Sequence, residues 1–358
     1  MKIERTEPKD LQTIVTMTIE PADYQEQVQK ELKSIRQKAN IPGFRPGMVP
    51  MGMVKKMYGK GVMAEVINKV IGQKLGEYIE TEKLPILGEP LPNEEHTPEV
   101  DFDNNDTFTF AFDMGLAPEF NVNLTGKDKL TEYEITVTDE MVDKQVTAYT
   151  ERYGTYEGEG EDAKVIPAKI DGELFAKIYG ENNIKDEADF RQHVKDEITS
   201  NMAEDSKYKL GLDTKAAILK KMDKLVFPEA FLKRWVLATN DKMTEETLDK
   251  QFPDMLKELK WQLAKDKLVK AYDIKVEKED VEAYAKEVAR LQFIQYGLMH
   301  VEDQFLTSYA NEMMKKDDQL RGLIERVAEN KIFAALKGVA KVEKKTISHE
   351  DFGKLFAE

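Results

Sequence analysis

The chain has 358 residues, with 41% hydrophobic and 34% charged residues, a formal net charge of −15 and no cysteine. This length predicts two or three domains, and the negative charge disfavours nucleic-acid binding over the whole surface. The lack of cysteine excludes disulfides, a thiol nucleophile and thiolate metal sites, and it fits a reducing, cytoplasmic location. We see no signal peptide and no run of about 18 apolar residues, so we predict no membrane segment.

The first elements are predicted from the spacing of apolar residues. Leu11–Ile19 alternates and is β-branched, which predicts a strand. A helix begins at Pro21, and its apolar residues recur every three or four positions until Asn40 and Pro42 end it.

A loop follows at Asn40–Pro50, with three prolines and two glycines. It presents Phe44 and Arg45 on a stiff turn, where Arg can pair with a carboxylate or phosphate and Phe can fill an apolar pocket or stack on a base. The alternative is that Phe44 is a core residue and Arg45 a solvated loop residue. Composition alone leaves both interpretations open.

The segment after the loop completes the first predicted domain. We predict a short helix at Met51–Tyr58, ended by Gly59, and a longer one over Val62–Glu82. Pro85–Pro92 is predicted as a break, and Asp101–Asp113 alternates as a strand that would pair with the first strand. Residues 1–115 therefore predict a compact α+β domain.

Positive charge is concentrated around the loop. Residues 27–76 contain ten Lys and Arg against two acids, in a chain that is acidic overall. Such a local excess of cations suits an anionic partner, although a solvated helix face would have the same composition. The lysines that we predict to support the loop are Lys30, Lys33, Lys38, Lys55 and Lys56.

The rest of the chain divides into three predicted parts. Residues 116–153 hold a strand, from Leu130, and a helix that begins at Thr138. Residues 154–166 are rich in glycine and acids, which predicts a flexible linker. Residues 167–358 predict an extended, mostly helical domain with arms, because narrow apolar stripes on charged helices leave little for one compact core.

Methionines on these helices suggest a surface that binds varied apolar partners, because flexible thioethers adapt to different shapes. The alternative is that they fill gaps in helical cores. The residues that we predict to contact such partners are Met202, Met222, Phe231, Trp235, Met299, Met313 and Met314.

No catalytic arrangement is visible in the sequence. The four histidines are scattered, without the paired spacing of a metal site, and no glycine-rich phosphate loop occurs. We therefore predict a binding protein rather than an enzyme, with no catalytic residues, no cofactor and no metal.

The loop sequence Gly43–Pro50, GFRPGMVP, resembles the GFRxGxxP ribosome-docking signature of trigger factor, the bacterial ribosome-associated chaperone. The opening strand, the helix that starts at Pro21, the segment Val226–Phe231 and the closing stretch Ala334–Phe352 follow in matching order. The resemblance implies ribosome contact by Gly43, Phe44, Arg45, Pro46 and Gly47. At Pro46 many family members have a lysine, so this chain has one cation fewer at the tip.

The resemblance also implies a function. The loop would contact a ribosomal protein and rRNA of the large subunit at the exit tunnel, and the helical domain would bind nascent or unfolded polypeptides without ATP. A homodimer off the ribosome is a further implication. The family's FKBP-like prolyl isomerase domain would be inserted where this chain has only the short linker, so we expect no isomerase activity. The alternative is a scaffolding or assembly chaperone that acts away from ribosomes.

Overall fold

The computed structural model describes residues 1–45, 47–157, 164–296, 298 and 301–356. The strands are β1 Lys2–Arg5, β2 Gln12–Ile19, β3 Ile86–Pro92, β4 Phe108–Leu116, β5 Lys129–Thr136, β6 Thr155–Glu157, β7 Lys164–Ile166 and β8 Lys341–Ser348. The helices are α1 Pro21–Lys38, α2 Met51–Thr81, α3 Asp139–Arg152, α4 Gly172–Tyr179, α5 Glu187–Lys221, α6 Glu229–Thr239, α7 Glu245–Ala271, α8 Lys278–Gln295, α9 Asp303–Met314, α10 Asp317–Lys337 and α11 His349–Lys354.

The chain packs as two compact units. The first contains Met1–Phe120 and Lys224–Leu256, and the second contains Asn121–Asp223 and Lys257–Glu358. The predicted fold class, an α+β N-terminal part followed by a mostly helical part, is confirmed. One segment packs differently from the predicted ranges, because residues 224–256 join the N-terminal unit.

The first unit is built on an antiparallel sheet with the strand order β1-β2-β4-β3. Strand β2 pairs with β4, so that Met17 lies opposite Phe110, and the predicted pairing is confirmed. The predicted bounds Asp101–Asp113 are wrong, because the strand begins at Phe108 and ends at Leu116. The predicted break at Pro85–Pro92 is wrong, because most of it forms strand β3. This strand lies at the sheet edge, where a proline without an N–H can face away from the ladder.

Helix α2 corrects a second prediction, since it runs without interruption through Gly59 and Gly61. Two glycines inside a helix cost roughly 2 kcal/mol relative to alanine. Val54 and Val62 are both buried in the core of the first unit. Burying two such side chains contributes roughly 3–6 kcal/mol, so burial on both sides of the glycines outweighs their low helix propensity.

We expect Gly61→Ala to raise the free energy of unfolding by about 0.5–1 kcal/mol, because Gly61 is helical and a Cβ there meets no atom within 4 Å. The opposite result is expected at Gly43, whose φ of +90° lies in the left-handed region. Gly43→Ala should lower stability by about 1–2 kcal/mol. Urea unfolding measures both variants, and a neutral Gly43→Ala would contradict this account of the turn.

Helices cover both faces of this sheet. Val15, Met17 and Phe108 pack with α1 and α2 in one buried cluster. On the other face, the Phe231 ring of α6 lies against the backbone of Gly115, where a Cβ would come within 2.5 Å of the ring. Arg234 donates from Nη2 to Asp113 Oδ2 over 2.6 Å. These contacts explain why α6 belongs to the first unit.

The second unit has several small buried clusters. One surrounds Phe190, where α3, α4 and α5 meet, and another lies around Ala285 between α8, α9 and α10. A third joins Met202 and Phe352 beneath β5. Strand β5 pairs in parallel with β8, a strand that our sequence reading missed. Strands β6 and β7 lie at the two ends of the predicted flexible linker. They pair with each other, with Thr155 opposite Ile166.

Candidate functional site

The loop between α1 and α2 has a defined backbone. Gly43 and Gly47 have φ values of +90° and +83°, a region that side chains disfavour. The Phe44 N–H donates to the Ile41 carbonyl over 3.1 Å, and the Met48 N–H donates to the Arg45 carbonyl over 2.9 Å. The two glycines therefore permit consecutive tight turns that present the residues between them.

Arg36 of α1 fixes this loop to the helix. Its carbonyl accepts a hydrogen bond from the Gly47 N–H over 3.2 Å, and its Nε donates to the Val49 carbonyl over 2.8 Å. Ile41 and Val49 are buried in the core of the first unit and anchor both sides of the loop. Arg36 is one of the ten cations of residues 27–76, and its position within a helix gives no signal of this role in the sequence.

The two predicted contact residues at the tip have different environments. Phe44 is half-buried and packs against the core of the first unit, whereas Arg45 is exposed. Phe44 thus combines a supporting role in the loop with a partly accessible ring. The predicted residue Pro46 lies outside the described residues.

The predicted supporting lysines lie on the two helices that flank the loop. Lys30, Lys33 and Lys38 are exposed on α1, and Lys55 and Lys56 are exposed on α2. Farther along α2, Lys60 pairs with Asp103 over 2.6 Å and Lys74 with Glu77 over 2.7 Å. Among the described residues, no acid lies within ion-pair distance of Arg45 or of the five predicted lysines. These side chains present cationic charge to solvent.

Apolar side chains beside the loop were missed. Met48 is 69% exposed and Met57 is 56% exposed, with Met53 on the same side of α2 one turn before Met57. The signal in the sequence was the four-residue spacing of two methionines directly after the loop. The surface around Arg45 therefore combines cations with flexible apolar side chains, which suits a partner with both polar and apolar groups.

The predicted apolar contact residues are distributed over both units. Phe231 and Trp235 lie in α6 of the first unit, while Met202 and Met222 are buried in the second. Met313 and Met314 are half-buried on α9, and Met299 lies outside the described residues. Client contact by these residues stays a prediction, and the burial of Met202, Met222 and Phe231 gives it no support.

A cleft in the second unit exposes other apolar residues. It encloses about 730 Å³ between α5, α7, α8 and α10. Tyr208 is 57% exposed and Leu291 48% exposed on its walls. The lining also carries more acidic than basic side chains. Such a surface suits segments that combine apolar and basic residues.

Glu329 organises one wall of this cleft. It accepts hydrogen bonds from Trp261 Nε1 over 2.9 Å and from Arg326 Nη1 over 3.1 Å. The Lys215 ammonium lies 5.2 Å from the centroid of the Trp261 ring, and burial raises the pKa of Tyr284 nearby. The wall is therefore ordered by polar contacts before any partner binds.

Among the described residues, no helix is long and apolar enough to cross a membrane.

Comparison with known proteins gives two family matches. Residues 1–149 match the model described as "Bacterial trigger factor protein (TF)", and residues 206–356 match "Probable trigger factor, C-terminal domain". Neither match is described as an isomerase. Together the two matches cover most of the chain.

Individual relatives match over shorter stretches. The trigger factor of Bordetella avium (strain 197N) is 31% identical over 147 residues, which is 41% of this chain and 33% of that protein. The trigger factor of Brucella abortus (strain S19) is 28% identical over 185 residues, 49% of this chain and 39% of that protein. These matches thus span between a third and two fifths of the curated relatives' length.

A solved structure has a similar fold. It is described as "Promiscuous Substrate Recognition in Folding and Assembly Activities of the Trigger Factor Chaperone". The TM-score is 0.50 at 13% identity, and the match covers 94% of this chain and 99% of that chain. At this identity the likeness shows the fold alone.

Proposed function

This chain belongs to the trigger factor family, and on that premise we propose that it is an ATP-independent chaperone that docks on the large ribosomal subunit near the exit tunnel and binds nascent or unfolded polypeptides. The observation that carries the docking proposal is the loop at Gly43–Met48. It is fixed to α1 through Arg36, and it presents Arg45 to solvent with no acid partner among the described residues. A cytoplasmic location and self-association off the ribosome are further parts of this proposal.

Charge supports docking through the loop rather than through the whole surface. Arg45 and the lysines of α1 and α2 would neutralise phosphates of rRNA and release their counterions. The exposed Met48, Met53 and Met57 would pack on a ribosomal protein. The net charge of −15 would oppose binding of rRNA elsewhere.

We expect the double variant Phe44→Ala/Arg45→Ala to abolish co-sedimentation with large ribosomal subunits. The change removes the exposed guanidinium and the ring beside it. Co-sedimentation of the wild type at two salt concentrations provides a second readout, because binding through phosphate contacts should weaken as salt rises. Far-ultraviolet circular dichroism checks that the variant is folded.

Lys60→Ala serves as the matched control, because Lys60 is already paired with Asp103. It should retain nearly all of the binding. Undiminished co-sedimentation of the double variant would refute docking through this loop.

We propose that client segments bind in the cleft between α5, α7, α8 and α10. Its exposed Tyr208 and Leu291 provide apolar contact, and its acidic lining would accept basic groups. Nothing in this binding requires a nucleotide, so release would follow from weak contacts at several points.

We also propose that the chain lacks prolyl isomerase activity. Only residues 153–171 separate α3 from α4, far fewer than the about 100 residues of an ordinary domain. Residues 155–157 and 164–166 of this stretch are paired strands, which leaves no length for the inserted domain.

A second candidate function is assembly of folded partners away from the ribosome. The solved structure with the similar fold is described by both folding and assembly activities, and the same cleft would serve either role. Ribosome co-sedimentation separates the candidates, since an assembly chaperone has no need of the loop contact.

A further inference from the structure

A second groove lies in the first unit, away from the docking loop. It encloses about 730 Å³ between α2 and strands β3 and β4, a volume within the roughly 300–1,000 Å³ of ligand pockets. Phe110 and Phe112 of β4 line it and are only half-buried, although they face the core side of the sheet. The sheet thus offers aromatic surface that α2 leaves partly uncovered.

Two glycines of α2 keep this surface open. Gly72 and Gly76 lie one turn apart and line the groove, and a Cβ at either position would meet no atom within 4 Å. Larger residues there would project into the groove and shield Phe110 and Phe112. The apolar residues Ile71, Leu75 and Ile79 complete the helical wall.

The opposite rim determines how a ligand could be held. Pro90 and Pro92 of the edge strand β3 line the groove. Neither has an N–H, so a bound chain could not form a regular ladder with this edge. Recognition would therefore rest on side-chain contacts rather than on main-chain hydrogen bonds to this edge.

The charge at the rim of the groove indicates which charge a bound ligand has. Glu89 and Glu94 are both exposed, and neither has a basic partner within ion-pair distance among the described residues. Two unpaired carboxylates above an apolar floor complement a segment with apolar side chains and a lysine or arginine beside them.

We propose that this groove between α2 and strands β3 and β4 is a binding site for a short client segment that carries apolar side chains next to a basic residue. The inference rests on the proposed chaperone function and adds to it a client site outside the helical unit. Apolar side chains of the client lie on Phe110 and Phe112, and its cation lies between Glu89 and Glu94.

The test is direct because the chain has no cysteine. Lys69→Cys, on the exposed side of α2 next to the groove, gives a unique position for a fluorophore. The probe is a short peptide of Leu and Phe residues with a Lys at each end. This peptide carries a quencher. In the full chain without ribosomes, we expect saturable quenching.

The variant Gly72→Leu/Gly76→Leu fills the groove and should weaken the quenching affinity at least about tenfold, which corresponds to the burial of roughly one apolar side chain. Leucine favours a helix more than glycine does, so this variant should not lose its fold. Gly61→Leu is the matched control. It lies on the same helix, exposed and with room for a side chain, but outside the groove.

The acidic rim is tested by Glu89→Lys/Glu94→Lys. This variant should bind the basic peptide more weakly and a peptide with Glu at each end more tightly. Glu95→Lys is the control, since Glu95 does not line the groove. Unchanged affinity in the glutamate variant would refute the contact with the client's cation, and unchanged affinity in the glycine variant would overturn the site.

Further outcomes separate this inference from the proposed function. Wild-type affinity in the filled variant, with ribosome binding intact, refutes the groove alone. A wild-type chain that binds neither peptide nor ribosomes refutes both proposals. If sedimentation velocity shows that the filling variant loses a dimer that the wild type forms, the groove belongs to a second copy of the chain and the client assignment is overturned.

Discussion

Phe231→Ala is expected to lower the free energy of unfolding of the first unit by about 3–5 kcal/mol. The Phe231 side chain is 1% exposed, and its ring lies on the backbone of Gly115 in β4. No larger residue fits at Gly115 beneath the ring, because a Cβ there would come within 2.5 Å of it. The substitution therefore loses both the burial of the ring and the packing of α6 on the sheet.

Urea unfolding measures the loss in the free energy of unfolding. Amide hydrogen exchange in β2 and β4 shows whether that loss occurs in the sheet beneath α6. Glu229→Ala on the same helix is the control, because Glu229 is exposed. Its effect should stay within about 0.5 kcal/mol. If Phe231→Ala left stability unchanged but weakened client binding, Phe231 would be a contact residue, as the sequence suggested, and not part of the core.

Local sequence patterns were sufficient to predict the strands and helices whose residue spacing shows one buried face. The alternation of Leu11–Ile19 and the helical spacing after Pro21 correspond to β2 and α1. Each pattern reports one buried face, and that face is present whatever partner covers it. The helical character predicted for residues 167–358 has the same basis and is observed, for example, in α5 Glu187–Lys221.

Elements that depend on distant partners were not predictable in this way. Strand β8 has only Val342 and Ile347 partly buried, and it pairs with β5, more than 200 residues earlier. The place of α6 on the N-terminal sheet is also a long-range contact. Gly115 in β4 marks this contact, because a glycine in a strand often indicates close approach of another element, but it lies beyond the strand predicted from the sequence.

In the candidate site too, local features were predictable from the sequence and longer-range contacts were not. Glycines on either side of Phe44 and Arg45 predicted a tight loop, and the positive φ of Gly43 and Gly47 agrees with it. The hydrogen bonds of Arg36 to the loop were not predictable, because a helical arginine is usually a surface residue. The open groove beside Gly72 was also missed, since glycine spacing on a helix does not show which sheet residues lie beneath it.

The second unit should lose stability steeply at alkaline pH because of two buried tyrosines. The Tyr149 hydroxyl donates to Glu197 Oε1 over 2.9 Å, and the Tyr179 hydroxyl donates to Oε2 of the same carboxylate over 2.8 Å. Burial, and then the negative charge of Glu197, raise the pKa of both hydroxyls well above the ordinary value of 10.0. Both groups therefore stay protonated in the folded state after they would ionise in the unfolded chain.

The direction of the pH dependence follows from these raised pKa values. Above about pH 10 the unfolded chain releases protons that the folded chain retains, so the free energy of unfolding falls as the pH rises. Each tyrosine contributes a slope of about 1.4 kcal/mol per pH unit. Below pH 10 both states are protonated and the stabilisation is fully present.

Chemical unfolding between pH 8 and about pH 11, followed by circular dichroism, tests this account. Tyr149→Phe should remove about half of the slope that the pair contributes, and Tyr149→Phe/Tyr179→Phe should remove nearly all of it while lowering stability at neutral pH, where Glu197 loses two donors. Tyr156→Phe is the control, since Tyr156 is 73% exposed and should leave the slope unchanged. An equally steep decline in the double variant would show that other groups, such as the lysines, cause the alkaline loss.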